Sequence, residues 1–430
     1  MNAKRRNRIQ NLSILLLAFS AVMLFANLPL FGALSDQSLL ELARNRLRRE
    51  SAVSEAEVSS AASFVFPVRM VYTNNFARLG SDALTTLSDE FELAGTYLSE
   101  AAGSAYDKQS VSLSAFLAAL RAEGLYFDFT TALPLDILAD ALNVSLPDSE
   151  LSSVRRVLLS PDSERDAMLF VEDGSGQHYT FSTAVSSPAL TEFLSSRSGS
   201  NANFAFLLDS SYANLASCTL VLSTPAERST LSVSNALSGN EDVFLRRAEF
   251  NPHTENRFTE SSGTVIVREV SSTLYLRPDG TVDYQGTDAI PESLYFVSAA
   301  SPDAPTLSEA ATAAQRLMLT LLQDSLGDAS LYLSNAIPSG NGFEITFDLM
   351  VDGTPIRFSN GSHAAVVTVE GQRITAFTLK ARRYALTGDT PLLLPFAQAA
   401  AIARVWRGAE LLVAYVDGGG ETVAPAWIAE

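Results

Sequence analysis

The chain is 430 residues long, 47% hydrophobic, and carries a formal net charge of −18. That length and apolar content predict two or three packed domains. So acidic a balance excludes nucleic acid as a partner, because phosphate binding needs clustered Lys and Arg. A single cysteine, Cys218, leaves no intramolecular disulfide and no Cys-rich zinc site, and its apolar "ASCTLVLS" setting predicts a buried, inert thiol.

The N-terminus carries Lys4, Arg5, Arg6 and Arg8, followed by an apolar run from about Leu12 to Leu34. A spanning helix needs roughly 20 apolar residues. Residues 1–34 therefore read as a cytoplasmic tail and a single transmembrane anchor, with everything beyond exported. A cleaved signal peptide would have a shorter apolar core, roughly 7–15 residues, and small residues before the cut. Both "LFA" and "FGA" put a bulky residue there instead. Inside the run, Ser13, Ser20 and Asn27 recur at spacings of seven and share one helical stripe. That stripe is a candidate interface for another membrane helix, since small and polar residues let helices associate in lipid. Residues 35–61 read as a stalk helix (Leu39, Leu40, Ala43 and Leu47 on one face, Asp36 as N-cap) and a polar linker.

Three α+β units are expected after the linker, each with helices packed on an antiparallel β-meander or its beginnings. In the first, 62–145, "SFVFPVRMVYT" is a strand whose Pro67 suggests an edge or a bulge. Helical patterns follow at Ser81–Ala102, Ser112–Glu123 and Leu135–Leu142. In the second, 150–287, "RDAMLFVEDGSGQHYTFS" is a hairpin. "SPALTEFLSS" is a short helix with Ser187 as cap, and "FAFLLD" and "SCTLVLS" are strands. This unit closes with "TLYLRPDGTVDY", a hairpin in which Pro278, Asp279 and Gly280 form the turn: Pro278 presets φ and Gly280 takes the left-handed position. In the third, 290–430, Thr306 and Glu309 make a capping box for a long helix that Gly327 is expected to end. Strands "GFEITFDLM", "TPIRFS", "HAAVVTV" and "GQRITAFTLKARRY" follow, then a helix near Leu394–Trp406 and strands "LLVAYVD" and "TVAPAWIA".

No motif names a reaction. His178, His253 and His363 sit in no paired metal spacing and read as surface histidines. There is no nucleophile elbow, S-x-x-K or phosphate loop, and the acidic pairs Glu172-Asp173 and Glu241-Asp242 read as solvated turns. The sequence thus predicts no catalytic residue, no cofactor and no metal ligand. An exported binding protein is the simplest class that fits. The alternatives are a cell-envelope scaffold, or an envelope hydrolase with an unfamiliar site.

The anchor, the segment "ESSGTVIVREVSSTLYLRPDGTVDY" and the ending "LLVAYVDGGGETVAPAWIAE" together resemble the YycH/YycI family of Gram-positive bacteria. The matched positions are Gly263, Thr264, Leu274, Pro278, Asp279, Gly280 and Tyr284, with Pro425, Ala426 and Trp427. The resemblance implies one membrane helix followed by stacked α+β domains outside the cell. It implies no enzymatic activity, and regulation of a cell-wall-sensing two-component histidine kinase by contact with that kinase and with a sister regulator.

Overall fold

A computed structural model describes residues 64–430 apart from 76, 147–150, 292, 302–303 and 324. The expected anchor, the stalk helix and the stripe Ser13, Ser20, Asn27 lie outside the described residues. Among the described residues no helix is long and apolar enough to cross a membrane.

The first sheet is built by β1 (Pro67–Thr73), β2 (Arg78–Thr85), β3 (Tyr106–Val111), β4 (Gly124–Pro134), β5 (Ser153–Ser160), β6 (Met168–Glu172), β7 (His178–Ser182), β8 (Ser200–Phe204) and β9 (Leu220–Leu222). Their order across the sheet is β3-β7-β6-β5-β4-β1-β2-β8-β9. Between them run α1 (Asp89–Ser104), α2 (Leu113–Arg121), α3 (Leu135–Leu142) and α4 (Ser187–Ser195). The α1 start is sharp because the Ser88 side chain accepts from the Phe91 amide, and Asp89, Glu90 and Glu92 favour the positive end of the helix dipole. Side chains alternate as a strand demands. Met70, Tyr72, Leu125, Phe127 and Leu159 enter the main core, while Val71, Tyr126 and Leu158 pack with Phe116 and Leu120 of α2 on the opposite face. Both faces of this sheet are therefore covered.

A small sheet unites β10 (Leu231–Asn235) with β20 (Arg382–Leu386) and β22 (Thr422–Val423), and α5 (Glu241–Arg247) follows β10. The second large sheet uses β11 (Arg257–Thr259), β12 (Val265–Arg268), β13 (Ser272–Leu276), β14 (Thr281–Gly286), β15 (Ser330–Ser339), β16 (Gly342–Val351), β17 (Thr354–Phe358), β18 (Ala365–Glu370), β19 (Arg373–Lys380), β21 (Leu411–Asp417) and β23 (Pro425–Ala429). The order is β11-β12-β13-β14-β19-β18-β16-β17-β21-β23, with β15 also on β16. All its pairs are antiparallel except β17 with β21. The helix α6 (Leu307–Leu322) opens on the expected Thr306–Glu309 capping box and buries Ala310, Ala311, Ala314, Leu317 and Leu321. One continuous apolar core joins residues of both sheets with α6. The segment Ser60–Glu430 is compact by itself.

Several expectations are corrected. The helical pattern from Ser81 begins inside β2, whose backbone pairs with β1 and β8, so α1 starts only at Asp89. Pro67 is the first residue of an interior strand; a bulge lies one step on, between Val68 and Met70. "FAFLLD" is a strand end followed by a 3-10 turn, Ala205–Leu207. Ser186 caps α4 in place of Ser187. Closure of α6 falls at Gln323, and Gly327 lies beyond it, bridged to Tyr384. The sheets also divide the chain differently from three consecutive units. Strands before and after residue 146 share the first sheet, and the β13–β14 hairpin joins β19 in the second.

The hairpin itself has the expected register, Leu274 opposite Tyr284 and Leu276 opposite Val282. Tyr284 stacks on Tyr295 and Phe377 at 4.3 and 5.1 Å between ring centres. Gly280 has φ +85°, and a Cβ there would stand 2.9 Å from the Ala381 carbonyl oxygen and 3.0 Å from Asn235 Oδ1. The turn is stitched down by Asn235 Nδ2 donating to the Pro278 carbonyl (3.0 Å) and the Ala381 amide donating to Gly280 O (2.9 Å). Gly280→Val should lower stability by at least about 1–2 kcal/mol, the strain of a β-branched residue at positive φ. Urea unfolding of residues 60–430 reads this out; an unchanged midpoint refutes the turn's role.

Candidate functional site

Register places a row of polar side chains, four of them Arg, Asp or Glu, across five neighbouring strands of the first sheet. Arg69 stands opposite Asp128, Asp128 opposite Arg156, Arg156 opposite Glu172, and Glu172 opposite His178. Alternation along each strand puts them on the α2 side, in line with Val71, Tyr126 and Leu158. From Arg69 to Glu172 the signs alternate, so each of those cross-strand neighbours is attractive. Arg69 Nη2 lies 2.5 Å from Asp128 Oδ2, Arg156 Nε 3.2 Å from the same oxygen, and Arg156 Nη1 2.6 Å from Glu172 Oε1. Side-chain exposure is 1% for Asp128 and 7% for Arg156.

The counter-charge that completes the row comes from the other large sheet. Glu410, one residue before β21, pairs with Arg69, with Arg156 Nη2 at 2.5 Å and with Arg155 Nη2 at 2.6 Å. Three arginines thus face three carboxylates. The backbone of Glu410 is held by reciprocal hydrogen bonds with Glu430, and Glu430 accepts from Arg357 Nε at 2.7 Å. A second clamp lies close by: Arg228 bonds Asp82 of β2 at 3.0 Å and Thr354 Oγ1 of β17 at 2.8 Å. Beside it, Gly353 brings the β16–β17 turn so near β2 that a Cβ would stand 2.5 Å from the Leu84 carbonyl oxygen.

Burial alone would push the Asp128 carboxyl up, but Arg69 and Arg156, aided by Arg155 and the Thr130 amide, hold it well below the usual carboxylate range. A general acid or base needs a pKa near the working pH. The carboxylates that converge here are instead occupied by guanidinium groups, so the row is a structural device.

His178 corrects the expectation of a surface histidine: it is buried, packs on Phe116 at 4.8 Å, and keeps Nε2 3.5 Å from Glu172. Glu172 likewise is buried, whereas Glu241 and Asp242 are partly exposed and pair with Arg257. His363 bonds Asp348 at 3.1 Å, which raises its pKa, and His253 is exposed. Cys218 is buried, and desolvation pushes its thiol up to about 12. Among the described residues no group of three or more His, Cys, Asp or Glu side chains could hold a metal. A cavity of about 320 Å³ lies between α1, α3 and strands β5–β7. Leu98, Leu142, Val157, Leu169 and Phe181 line it, with Asp107 and Lys108 among its polar members. Pro278, Asp279 and Gly280 form the hairpin turn remote in sequence from the charge row. Nothing in the sequence reading singled out Arg69, Asp128, Arg156 or Glu410; the signal available was a lone charge inside each apolar run, as in "FPVRMVY" and "LYFDFTT".

A mixed α+β chain of two large sheets joined by one core is the class these elements define. A solved structure that it resembles is the crystal structure of YycH from Bacillus subtilis, at a TM-score of 0.54 and 12% identity, over 86% of this chain and 94% of that one. The fold is thus YycH-like. No family model matches the sequence, and no characterised protein matches it at the sequence level.

Removing one partner of a buried ion pair leaves an uncompensated charge. Glu410→Gln should therefore destabilise the protein by about 3–5 kcal/mol, read by urea unfolding; a loss no larger than that of a surface Glu→Gln control refutes the clamp. The pH dependence has a definite sign. The folded pKa of Asp128 is depressed, so its stabilisation is complete above the unfolded range, about pH 4, and is lost as pH falls through the folded value. Asp128→Asn should flatten the acid limb of stability against pH, and an acid limb as steep as the parent's refutes this.

Proposed function

We propose that this protein is an accessory regulator of a two-component sensor histidine kinase. In this reading it is anchored in the cell membrane through residues 12–34, with its N-terminus cytoplasmic and its folded domains outside. It acts by protein contact, with the kinase and a sister regulator as partners. The observation that carries the reading is the YycH-like fold over 86% of the chain. Two further features support it. The sequence opens with Lys4, Arg5, Arg6 and Arg8 before a long apolar run. The acidic groups that the fold gathers, Asp128, Glu172 and Glu410, are engaged by arginines, which suits a binding protein better than a hydrolase.

The stripe Ser13, Ser20 and Asn27 is the proposed helix–helix interface. Interhelical hydrogen bonds in lipid contribute roughly 0.6–2 kcal/mol each, enough to bias pairing. Replacing Ser20 and Asn27 together by leucine should reduce crosslinking to the kinase and shift kinase output, while Leu17→Ala and Phe25→Ala should leave both unchanged. If the double variant matches wild type in both assays, the membrane helix is only an anchor. If the full-length protein crosslinks to no kinase, the regulatory reading fails and an envelope scaffold replaces it.

A further inference from the structure

The helix α7 (Phe396–Ala403) covers the end of the second sheet with one face only. Phe396, Ala399, Ala400 and Ala403 are buried with Leu215 and Leu411. Ile402 at the end of the helix (60% exposed), and Val405 (76%) and Trp406 (55%) in the turn that follows it, are left open to solvent. Leu392 and Leu394, on the approach to the helix, are also exposed. Five large apolar side chains within one short segment exceed the scattered exposure normal for a soluble surface.

The charge of this segment is also distinctive. From Pro391 to Ala409 it contains Arg404 and Arg407 and no acidic residue, in a chain with 48 acids. Asp209 lies within electrostatic reach of Arg404, so Arg407, which is exposed, is assigned the outward cationic role. Aliphatic residues with a tryptophan, beside arginine and without acid, are the side chains that enter the headgroup region of a bilayer.

We propose that the exposed surface formed by the end of α7 and the turn after it docks on an anionic lipid bilayer, with Ile402, Val405 and Trp406 entering the interface and Arg407 meeting lipid phosphates. The proposal gains from the anchoring described under Proposed function. About thirty residues separate the end of the apolar run from Phe64, and a tether of that length holds the folded part at high effective concentration near the membrane. A weak face can then engage reversibly, and it would fix which side of the protein looks toward the bilayer. A protein groove is the competing occupant; an acid-free segment flanked by arginine favours lipid phosphate.

The chain's two tryptophans, Trp406 and Trp427, make the test direct. Trp427 is partly buried, with Nε1 donating to the Leu394 carbonyl at 2.8 Å and its ring against Phe396. In residues 60–430 carrying Trp427→Phe, emission reports Trp406 alone. Vesicles of phosphatidylglycerol and phosphatidylethanolamine, with brominated acyl chains, should blue-shift and quench it. Val405→Asp should weaken partition roughly tenfold, and Arg407→Gln should weaken it on anionic but not on purely zwitterionic vesicles. Should Trp427→Phe unfold the protein, a fluorophore on Val405→Cys gives the same reading, because Cys218 is buried. Absence of quenching at millimolar lipid overturns the proposal, as does binding unaffected by Val405→Asp. Crosslinking from position 405 to a membrane protein without lipid quenching also overturns it, in favour of a protein partner. No kinase is present in this assay, so its failure leaves the regulatory reading standing, and failure to capture a kinase leaves the lipid contact standing.

Discussion

The architecture depends on the neutralisation of arginines inside the first sheet. Arg69 and Arg156 are almost fully removed from water, and desolvating an isolated guanidinium costs several kcal/mol. Asp128 lies between them and Glu172 beyond, but only Glu410 touches both while also reaching Arg155. The second sheet therefore cannot slide or rotate on the first without stripping charges of their partners. Apolar contact would tolerate small displacements; hydrogen-bonded charges at 2.5–2.6 Å would not. This is one use of buried ion pairs that hydrophobic replacements could match in stability while giving up a defined relative placement.

Around that clamp the molecule separates its tasks. The main core uses the opposite face of the first sheet and the small residues of α6. The α2 face combines the charge row with a modest apolar cluster. Two apolar features stay open to solvent: the residues around the end of α7 and the cavity over β5–β7. Neither brings together a nucleophile, base and oxyanion donor, the geometry that acyl or glycosyl transfer would require.

Local signals in the sequence are legible where they act through the backbone. The capping box at Thr306 and Glu309 and the Pro278–Gly280 turn depend on residues within a few positions, and both form as expected. Such signals are not legible where a distant strand decides the outcome. Ser81 to Thr85 has helical spacing, yet pairing with β1 makes it strand. The strand β15 passed unnoticed because "SLYLSNAIPS" mixes turn-forming residues with apolar ones; its partner β16 supplies the order. His178 looked exposed because it follows a turn, whereas α2, earlier in the chain, lays Phe116 over it. The charge row was hidden for the same reason. Alternation in "VRRVLL" marks Arg156 as facing away from one core, and nothing local shows that a second cluster and Glu410 cover that side.

Arg69 and Glu410 are 341 residues apart in sequence, and Arg156 and Glu410 254. Chains are made from the N-terminus, and domains tend to form as they emerge. The strands that carry Arg69, Asp128 and Arg156 thus exist long before their last acid does. Until β21 arrives, that face of the sheet carries more positive charge than it can bury, and water must remain there. The charge pairing seen in the native fold is complete only once residue 410 has been made. A product broken off earlier would keep a wet, open sheet face and unpaired strand edges, the features that proteases and holding chaperones recognise. Glu410 thereby ties burial of the charges on the first-made strands to a segment near the end of the chain.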